Sequence, residues 1–235
     1  MDMFQLQFPG TSYKTVIQTI DSEGKELFKN YLSTTSVIDT AISNDNKYLA
    51  MAEANFSGIL IQSTIKIISI DEAQTNSADS IKYTNIADAN DLIIDIEYNN
   101  KNDLICMYDT HIDLFNKDGN KELVDLNNNV TLYADINTVS NLIQIIKDEQ
   151  GKAKLQIIDS NNTESKKDYQ IGSTPRQLYI YGNMIAVNLG TEVEFINNNG
   201  WLVKRYKSNQ EVQQIVVSEQ IAGIVSNNKG KIISL

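Results

Sequence analysis

The chain has 235 residues, and 41% of them are hydrophobic, which is enough apolar material for a continuous core. Its formal net charge of −10 argues against nucleic acid as a partner, because nucleic-acid binders need a basic footprint. The small basic clusters at 166–167 and 204–207 fit solvated outer strands better. No apolar stretch reaches about 18 residues, so we expect no membrane insertion by this segment.

Short apolar runs alternate with polar turns along the first part of the chain. Residues 3–8 alternate and indicate a strand. Residues 16–20 are typical of a strand, and the Asp- and Gly-containing segment 21–25 is typical of a tight turn. Runs at 37–42 and 48–52 flank another polar turn, and five residues between turn signals are too few for a helix.

The same order returns downstream in three units of four predicted strands. These units comprise 92–96, 104–108, 112–115 and 122–126; then 130–136, 142–146, 155–158 and 165–170; then 178–181, 184–188, 193–196 and 201–206. A last, shorter unit comprises 212–217, 221–225 and 231–235. Turns like the first one are predicted at 116–119, 197–200 and 227–230, each with Asn or Asp before a Gly.

The spacing of these units predicts the architecture. Anchors in the strands before the turns are Ile17, Ile65, Ile112, Leu155, Val193 and Lys231, with gaps of 48, 47, 43, 38 and 38 residues. Four-stranded propeller blades recur every ~40 to 50 residues, whereas leucine-rich repeats are shorter and helical solenoids need a 3.6-residue periodicity. The sequence therefore predicts an all-β fold, a β-propeller of four-stranded blades.

The predicted strands leave the first and last blades incomplete. We interpret the chain as the C-terminal part of a seven- or eight-bladed ring; the alternative is a closed six-position propeller. One domain is expected over 1–235, with blade units at 1–32 (partial), 33–84, 85–127, 128–171, 172–208 and 209–235 (partial). A fragment with exposed blade faces is expected to self-associate.

Three segments carry a resemblance to known families. Residues 42–50 resemble the inner hairpin of WD-repeat blades, without the Trp-Asp and Gly-His signatures, and 21–27 resemble turns of quinoprotein-like propellers. Together with 62–68 they resemble a membrane-anchored propeller family of Gram-positive anaerobes, domain-of-unknown-function family 5711. That resemblance implies an N-terminal membrane anchor, further blades upstream and a place at the extracytoplasmic face of the membrane. It assigns no catalytic residues.

Oxygen ligands for a hard cation occur in one short segment. Asp88, Asn90, Asp91 and Asp95 cluster around a predicted inter-blade loop. The calcium-loop spacing is absent, so a solvated, turn-rich loop is the favoured interpretation. The segment 116–120 resembles half a calcium loop, but a hairpin turn with Gly in the left-handed region explains it.

Nucleophilic or acid–base chemistry has few candidates. Cys106 is the only cysteine and His111 the only histidine, which excludes an intrachain disulfide and a multi-histidine metal centre. A Cys/His dyad lacks an orienting third group, so a buried inert thiol is favoured. Glu192 and Glu194 lie on one side of a strand and suggest a glycosidase pair, but a solvated strand face is the simpler interpretation.

Aromatic residues and one long loop are the remaining recognition candidates. Trp201 opens an outer strand and is expected to pack between blades, as are Tyr179, Tyr181 and Tyr206, although aromatics also anchor interfaces. The segment 53–63 extends the connection between two strands of one blade. Extended loops on rigid scaffolds are common recognition sites, whereas its apolar residues also fit continued strand pairing.

These observations favour a non-enzymatic scaffold that recognises a protein or cell-envelope ligand through loops at one propeller face. The alternative is a carbohydrate-active hydrolase or lyase that uses two carboxylates at the central channel, one with a raised pKa. No catalytic, cofactor-binding or metal-ligating residue is assigned from the sequence, and no cofactor is expected.

Overall fold

A computed structural model shows a protein made almost entirely of β-strands, which confirms the all-β prediction. It describes residues 2–6, 12–76, 79–116, 119–126, 131–136, 141–147 and 150–235. These residues form 22 strands and one short helix, divided between two compact units, Met1–Leu126 and Asn127–Leu235. The single domain with six blade boundaries stays a prediction.

The first unit contains three antiparallel sheets. The first sheet consists of β1 (Asp2–Leu6), β2 (Thr15–Ile20) and β3 (Glu26–Leu32). The second consists of β4 (Ser36–Ile42), β5 (Tyr48–Asn55), β6 (Gln62–Ser69) and β7 (Ile81–Ile86), with helix α1 (Ile70–Ala73) before β7. The third consists of β8 (Ile93–Tyr98), β9 (Leu104–Tyr108), β10 (His111–Phe115) and β11 (Lys121–Leu126).

The second unit also contains three antiparallel sheets. The fourth sheet consists of β12 (Thr131–Ile136), β13 (Asn141–Lys147), β14 (Ala153–Asp159) and β15 (Asn162–Gln170). The fifth consists of β16 (Gln177–Tyr181), β17 (Met184–Asn188), β18 (Glu192–Asn197) and β19 (Leu202–Lys207). The sixth consists of β20 (Val212–Val217), β21 (Ile221–Ser226) and β22 (Lys229–Ser234).

Strands that follow one another along the chain pair as neighbours in every sheet. In a four-stranded antiparallel sheet of this order, the loop from the second to the third strand lies at the same end as the segment that leaves the fourth strand for the next sheet. We call this the connecting end of a sheet. Loops from two successive sheets of one unit can therefore meet there.

Within each unit the sheets pack face to face, as the blades of a propeller do. In β5, Leu49 and Met51 pack with the first sheet, whereas Ala50 and Ala52 pack with the third. The fifth sheet is likewise buried on both faces, between the fourth and the sixth. Full burial of an aliphatic side chain contributes about 1.5–3 kcal/mol to stability. Because both faces of these central strands are buried, their sequences are continuous apolar runs.

The predicted Asx-type turns close several hairpins. The side-chain oxygens of Asp21 and Asn197 each accept two backbone N–H groups of their own turn, and that of Asn116 accepts the backbone N–H of Asn120, at 2.9 to 3.1 Å. Gly119 and Gly200 adopt φ of +77°, the left-handed conformation that such a turn requires at this position.

The turn expected at 227–230 is of a different kind. Only Asn227 and Asn228 lie between the paired residues Ser226 and Lys229, with φ of +47° and +59°. Two central residues with positive φ define the type I′ hairpin, which Asn tolerates well. Gly230 lies inside β22, so this Asn-Gly pattern differs from the earlier ones in its geometry.

Candidate functional site

A polar side chain recurs at one position of the strand that precedes the last strand of five sheets. It lies three residues before the residue that begins the following turn or, in the second sheet, before Ser69, the N-cap of the following helix. The five side chains and their partners are Gln18 with Glu26 (2.8 Å), Lys66 with Glu53 (2.7 Å), Asp113 with Lys121 (2.9 Å), Gln156 with Asp168 (3.2 Å) and Glu194 with Arg205 (2.6 Å). Each directly follows a buried apolar residue of its strand, and a polar group next to the core needs a partner.

Asp113, in β10, is the carboxylate at this position in the third sheet. Its side chain is fully buried. Oδ2 pairs with the ammonium of Lys121 at 2.9 Å and lies 3.4 Å from Nε2 of His111. Among the described residues no donor reaches Oδ1. The hydrogen bond to Asp113 raises the pKa of Lys121, so this lysine is charged at neutral pH.

His111 and Tyr108 flank a two-residue turn beside Asp113. Their rings stack at 4.2 Å with an interplanar angle of 9°. The hydroxyl of Thr110 and Nδ1 of His111 are hydrogen-bonded at 2.8 Å. The turn is fixed to the start of the sheet because Leu92 and Asp109 exchange two hydrogen bonds of 3.0 Å.

Cys106 lies directly across from Asp113 on the neighbouring strand β9. Burial raises the pKa of the Cys106 thiol well above its ordinary value and also raises the pKa of Tyr108, whose hydroxyl lies against Cys106 and Asn85. Both groups are therefore neutral at neutral pH. A buried, protonated thiol matches the inert-cysteine interpretation, and Cys106 is not a nucleophile in this state.

These side chains surround a cavity of about 60 Å³, which we call the Asp113 cavity. Asp113 and Tyr108 are the buried part of its lining, whereas Asp88 is exposed and marks its mouth together with Asp91. Lys121 completes the charged lining. A polar cavity of this size is large enough to hold water.

An apolar loop projects from the same end of the second sheet. It comprises residues 56–60, which connect β5 to β6, and we call it the apolar loop. Ile59 is completely exposed, and Phe56 and Leu60 are each about half exposed. Of the segment 53–63, residues 53–55 and 62–63 continue the pairing of β5 with β6, whereas 56–61, which include the apolar residues 59–61, lie between the strands.

The base of the apolar loop is attached to the segment that forms the cavity mouth. The backbone N–H of Asn90 donates to the carbonyl of Ile61, and that of Ala87 donates to the carbonyl of Ser63, both at 3.0 Å. The apolar loop and the Asp113 cavity therefore share the connecting end of the second and third sheets.

The acidic cluster predicted from the sequence is divided. Asp88 and Asp91 line the cavity. Asn90 adopts φ of +72° and uses its backbone rather than its side chain, and Asp95 lies in β8 opposite Met107. In the part of the chain that the structure describes, no three His, Cys, Asp or Glu side chains are placed to hold a metal ion.

No motif of the sequence indicated Asp113 or Lys121 as site residues. The available signal was the recurring polar residue directly after each apolar anchor of the repeat, and Asp113 directly follows the anchor Ile112. A charged residue inside an apolar strand indicates a buried pair or a site.

Glu192 and Glu194 do lie on one side of β18, but that side is not a solvated face. Glu194 is 2% exposed. Arg205 holds both carboxylates at 2.6 Å, through Nε to Glu192 and Nη2 to Glu194. Arg205 therefore joins both acids of β18 to β19.

The aromatic candidates separate into two groups. Trp201 is 69% exposed and does not pack between sheets, in contrast to the expectation. Tyr181 is half exposed as well. Tyr179 and Tyr206 pack against the core between the fifth and sixth sheets, as expected.

A larger cleft of about 380 Å³ lies at the connecting end of the fourth sheet. Its described lining contains Lys147, Lys152, Ser173 and Thr174 beside turn backbone. This lining includes no histidine, carboxylate or aromatic side chain, so it offers neither an acid–base pair nor a stacking surface.

Antiparallel sheets of three or four strands that pack face to face, with the candidate site among loops at one end, define a β-propeller-like fold. Residues 10–235 match the model of the family of unknown function DUF5711. The chain therefore belongs to that family. Among the described residues no helix is both long and apolar enough to cross a membrane.

Two solved structures match the chain at low sequence identity. A chain of the nidogen/laminin complex, which contains a β-propeller, matches with 12% identity and a TM-score of 0.50, over 99% of this chain and 89% of that one. A protein of unknown function from Bacteroides caccae matches with 12% identity and a TM-score of 0.49, over 94% and 81%. No curated protein matches the chain.

Proposed function

We propose that the protein is a non-enzymatic β-propeller scaffold that recognises a protein or cell-envelope ligand at the connecting end of its second and third sheets. The observation that carries this proposal is the apolar loop. Ile59 exposes its whole side chain there, with Phe56 and Leu60 beside it. Covering such a side chain by a ligand gains about 1.5–3 kcal/mol, so three of them form an effective anchor.

The packing and the hydrogen bonds at the base of the apolar loop favour a role in recognition over the role of a flexible linker. The loop connects two strands of a sheet that is buried on both faces, and hydrogen bonds from Ala87 and Asn90 hold its base. A rigid scaffold that presents a short loop loses little conformational entropy on binding. Loops positioned in this way commonly carry the function of a repeat protein.

The enzymatic alternative has less support. A hydrolase or lyase needs two converging carboxylates, one of them with a raised pKa. Glu192 and Glu194, the pair that suggested this chemistry, are both bound by Arg205. The scaffold is therefore the better proposal. The family resemblance supports a place at the extracytoplasmic face of the cell membrane, with an anchor in the parent protein.

Binding of the chain to cell envelopes of the source organism tests the proposal. We expect Ile59→Asp to weaken binding at least tenfold in a pelleting assay, because a charge replaces the exposed anchor. Ile232→Asp is the matched control, since Ile232 is 76% exposed on a different sheet and should bind as the parent does. Circular dichroism checks that both variants fold. Equal binding by the parent and Ile59→Asp would refute the proposal, and protease treatment of the envelopes separates protein ligands from glycan ligands.

A further inference from the structure

We propose that the Asp113 cavity binds a primary ammonium group, the end of a lysine side chain of the protein that the apolar loop contacts. This inference rests on the proposed function and gives the partner a chemistry. Asp113 is the most buried carboxylate of the cavity, and Asp88 and Asp91 lie at its mouth. The ligand enters beside the base of the apolar loop, which is bonded to the mouth segment.

The charge of the lining calls for a cation. Three carboxylates, Asp88, Asp91 and Asp113, line the cavity with one ammonium, that of Lys121, so these four groups carry a formal net charge of −2. A bound cation would partly neutralise this negative charge and would leave no excess of positive charge. An anion would be repelled by this lining and by the chain's overall charge of −10.

The unpartnered oxygen of Asp113 indicates a donor. The side chain is fully buried, its Oδ2 is engaged by Lys121, and no described donor reaches Oδ1. Buried carboxylate oxygens are normally hydrogen-bonded, so an exception points to a water or a ligand. An ammonium group brings three donors and its own charge, and a charged donor makes the stronger bond.

The size of the cavity selects among cations. About 60 Å³ admits a water-sized group such as an ammonium. A guanidinium is a larger, planar group that needs carboxylates placed to accept its fork of donors. A divalent metal ion prefers six or more oxygen ligands, and the ammonium of Lys121 already occupies Oδ2 of Asp113.

Titration of the full chain with short peptides, followed by NMR, tests the inference. The probes are acetyl-Ala-Lys-Ala-amide, the same peptide acetylated on the lysine Nζ, and n-butylamine. We expect the lysine peptide to shift the amide signals of residues 85–91 and 108–113 saturably. The acetylated peptide should bind at least tenfold more weakly, because it has no charge. The affinity for the lysine peptide should fall as salt is added.

Variants locate the binding. Asp113→Asn and Asp88→Asn should each weaken binding of the lysine peptide at least fivefold. Asp71→Asn, an exposed acid of α1 in the same unit, should leave it unchanged. Because Asp113→Asn removes the partner of Lys121 and can impair folding, Asp88→Asn at the exposed mouth decides the result in that case.

Three results would overturn the inference: equal binding of the acetylated peptide, unchanged binding by Asp88→Asn, or butylamine binding as tightly as the lysine peptide. The last result would assign the cavity to a small amine instead of a protein segment. The proposed function can survive each of them, because envelope binding that depends on Ile59 and persists in Asp88→Asn would support the scaffold without the ammonium site.

Discussion

The third and fifth sheets place a carboxylate at the same position of the repeat, yet surround it differently. Asp113 meets one ammonium, from Lys121, its Oδ1 has no donor among the described residues, and the residue lines a cavity. Glu194 accepts hydrogen bonds from Nε and Nη2 of Arg205 on Oε1, its buried Oε2 has no hydrogen-bond partner among the described residues, and Tyr169 lies beside its carboxylate. Both sheets therefore keep this strand position polar and leave one carboxylate oxygen without a hydrogen bond in the part of the chain that the structure describes, but of the two acids only Asp113 lines a cavity next to it that a ligand can enter.

The chemistry of the two cations explains the difference. Arginine presents a planar fork with several donors and fixes a carboxylate in one geometry, whereas lysine is a point charge on a flexible stem. Arg205 also engages Glu192, so three charged side chains form one network across β18 and β19. The third sheet has no such fork at Asp113.

The largest difference is expected from alanine at the glycines of the two equivalent turns. Gly119 and Gly200 share φ of +77°, which costs a non-glycine residue about 1–2 kcal/mol. At Gly200 an added Cβ would have its nearest neighbours at 3.7 Å, whereas at Gly119 it would lie 2.2 Å from the ring of Tyr83. We expect Gly200→Ala to lose about 1–2 kcal/mol of unfolding free energy and Gly119→Ala about 2–4, since overpacking adds its own cost.

Urea unfolding of both variants at neutral pH measures this difference. The ring of Tyr83 packs against Phe115 at 5.7 Å between centroids, so it cannot move without disturbing the core of the third sheet. Equal losses for the two variants would mean that the ring of Tyr83 moves aside at little cost. The third sheet would then be less tightly packed than its contacts indicate.

The next prediction removes the cations. Lys121→Met should lower the unfolding free energy by about 1–3 kcal/mol, because Asp113 loses its only strong partner but keeps His111 nearby and a cavity that admits water. Arg205→Met should destabilise more, because Glu194 is then buried without a cation. Lys47→Met, at an exposed lysine, is the control and should change stability by no more than about 0.5 kcal/mol.

Thermal or urea unfolding of the three variants gives the order. If Lys121→Met proves as costly as Arg205→Met, the cavity does not hydrate Asp113 and the third sheet is as closed as the fifth. If Lys121→Met costs nothing, the carboxylate is already neutral or solvated. Either result would remove the asymmetry on which the ammonium proposal depends.

Most of the fold could be predicted from local patterns. Strands buried on both faces appear as apolar runs, and Asx turns require Asn, Asp and Gly at fixed offsets, so both signals lie within a few residues. The anchors Ile17, Ile112 and Val193 directly precede the recurring polar position. The turn at 227–228 was misjudged because an Asn-Asn pair can form a two-residue hairpin without using the following glycine.

The candidate site could not be predicted in the same way. Asp88 and Asp113 are far apart in the sequence and meet only because the second and third sheets pack together. The pair of Asp113 with Lys121 also depends on a register shift between Ile112 and Asp113, where β10 pairs with β11. Neither sheet packing nor a β-bulge leaves a reliable signal in a single sequence.

The smallest expected effect is a pH dependence that the fifth sheet lacks. The residue across from Asp113 is Cys106, whereas the residue across from Glu194 is Val187, which does not titrate. Burial raises the pKa of Cys106 above the ordinary value of about 9. Above that pH the unfolded chain releases the thiol proton and the folded chain retains it, so the unfolded state binds fewer protons and stability falls as pH rises.

Unfolding free energies at pH 7, 8, 9 and 10 isolate this contribution. One retained proton gives a slope of at most about 1.4 kcal/mol per pH unit, and Cys106→Ala should flatten the curve between pH 9 and 10. The raised pKa of Lys121 acts in the same direction only above its unfolded value of about 10.4, outside this window. Parallel curves for the parent and Cys106→Ala would show that the thiol ionises within the folded chain. Water would then reach Cys106, across from Asp113, and that water would donate to Oδ1 in place of a ligand.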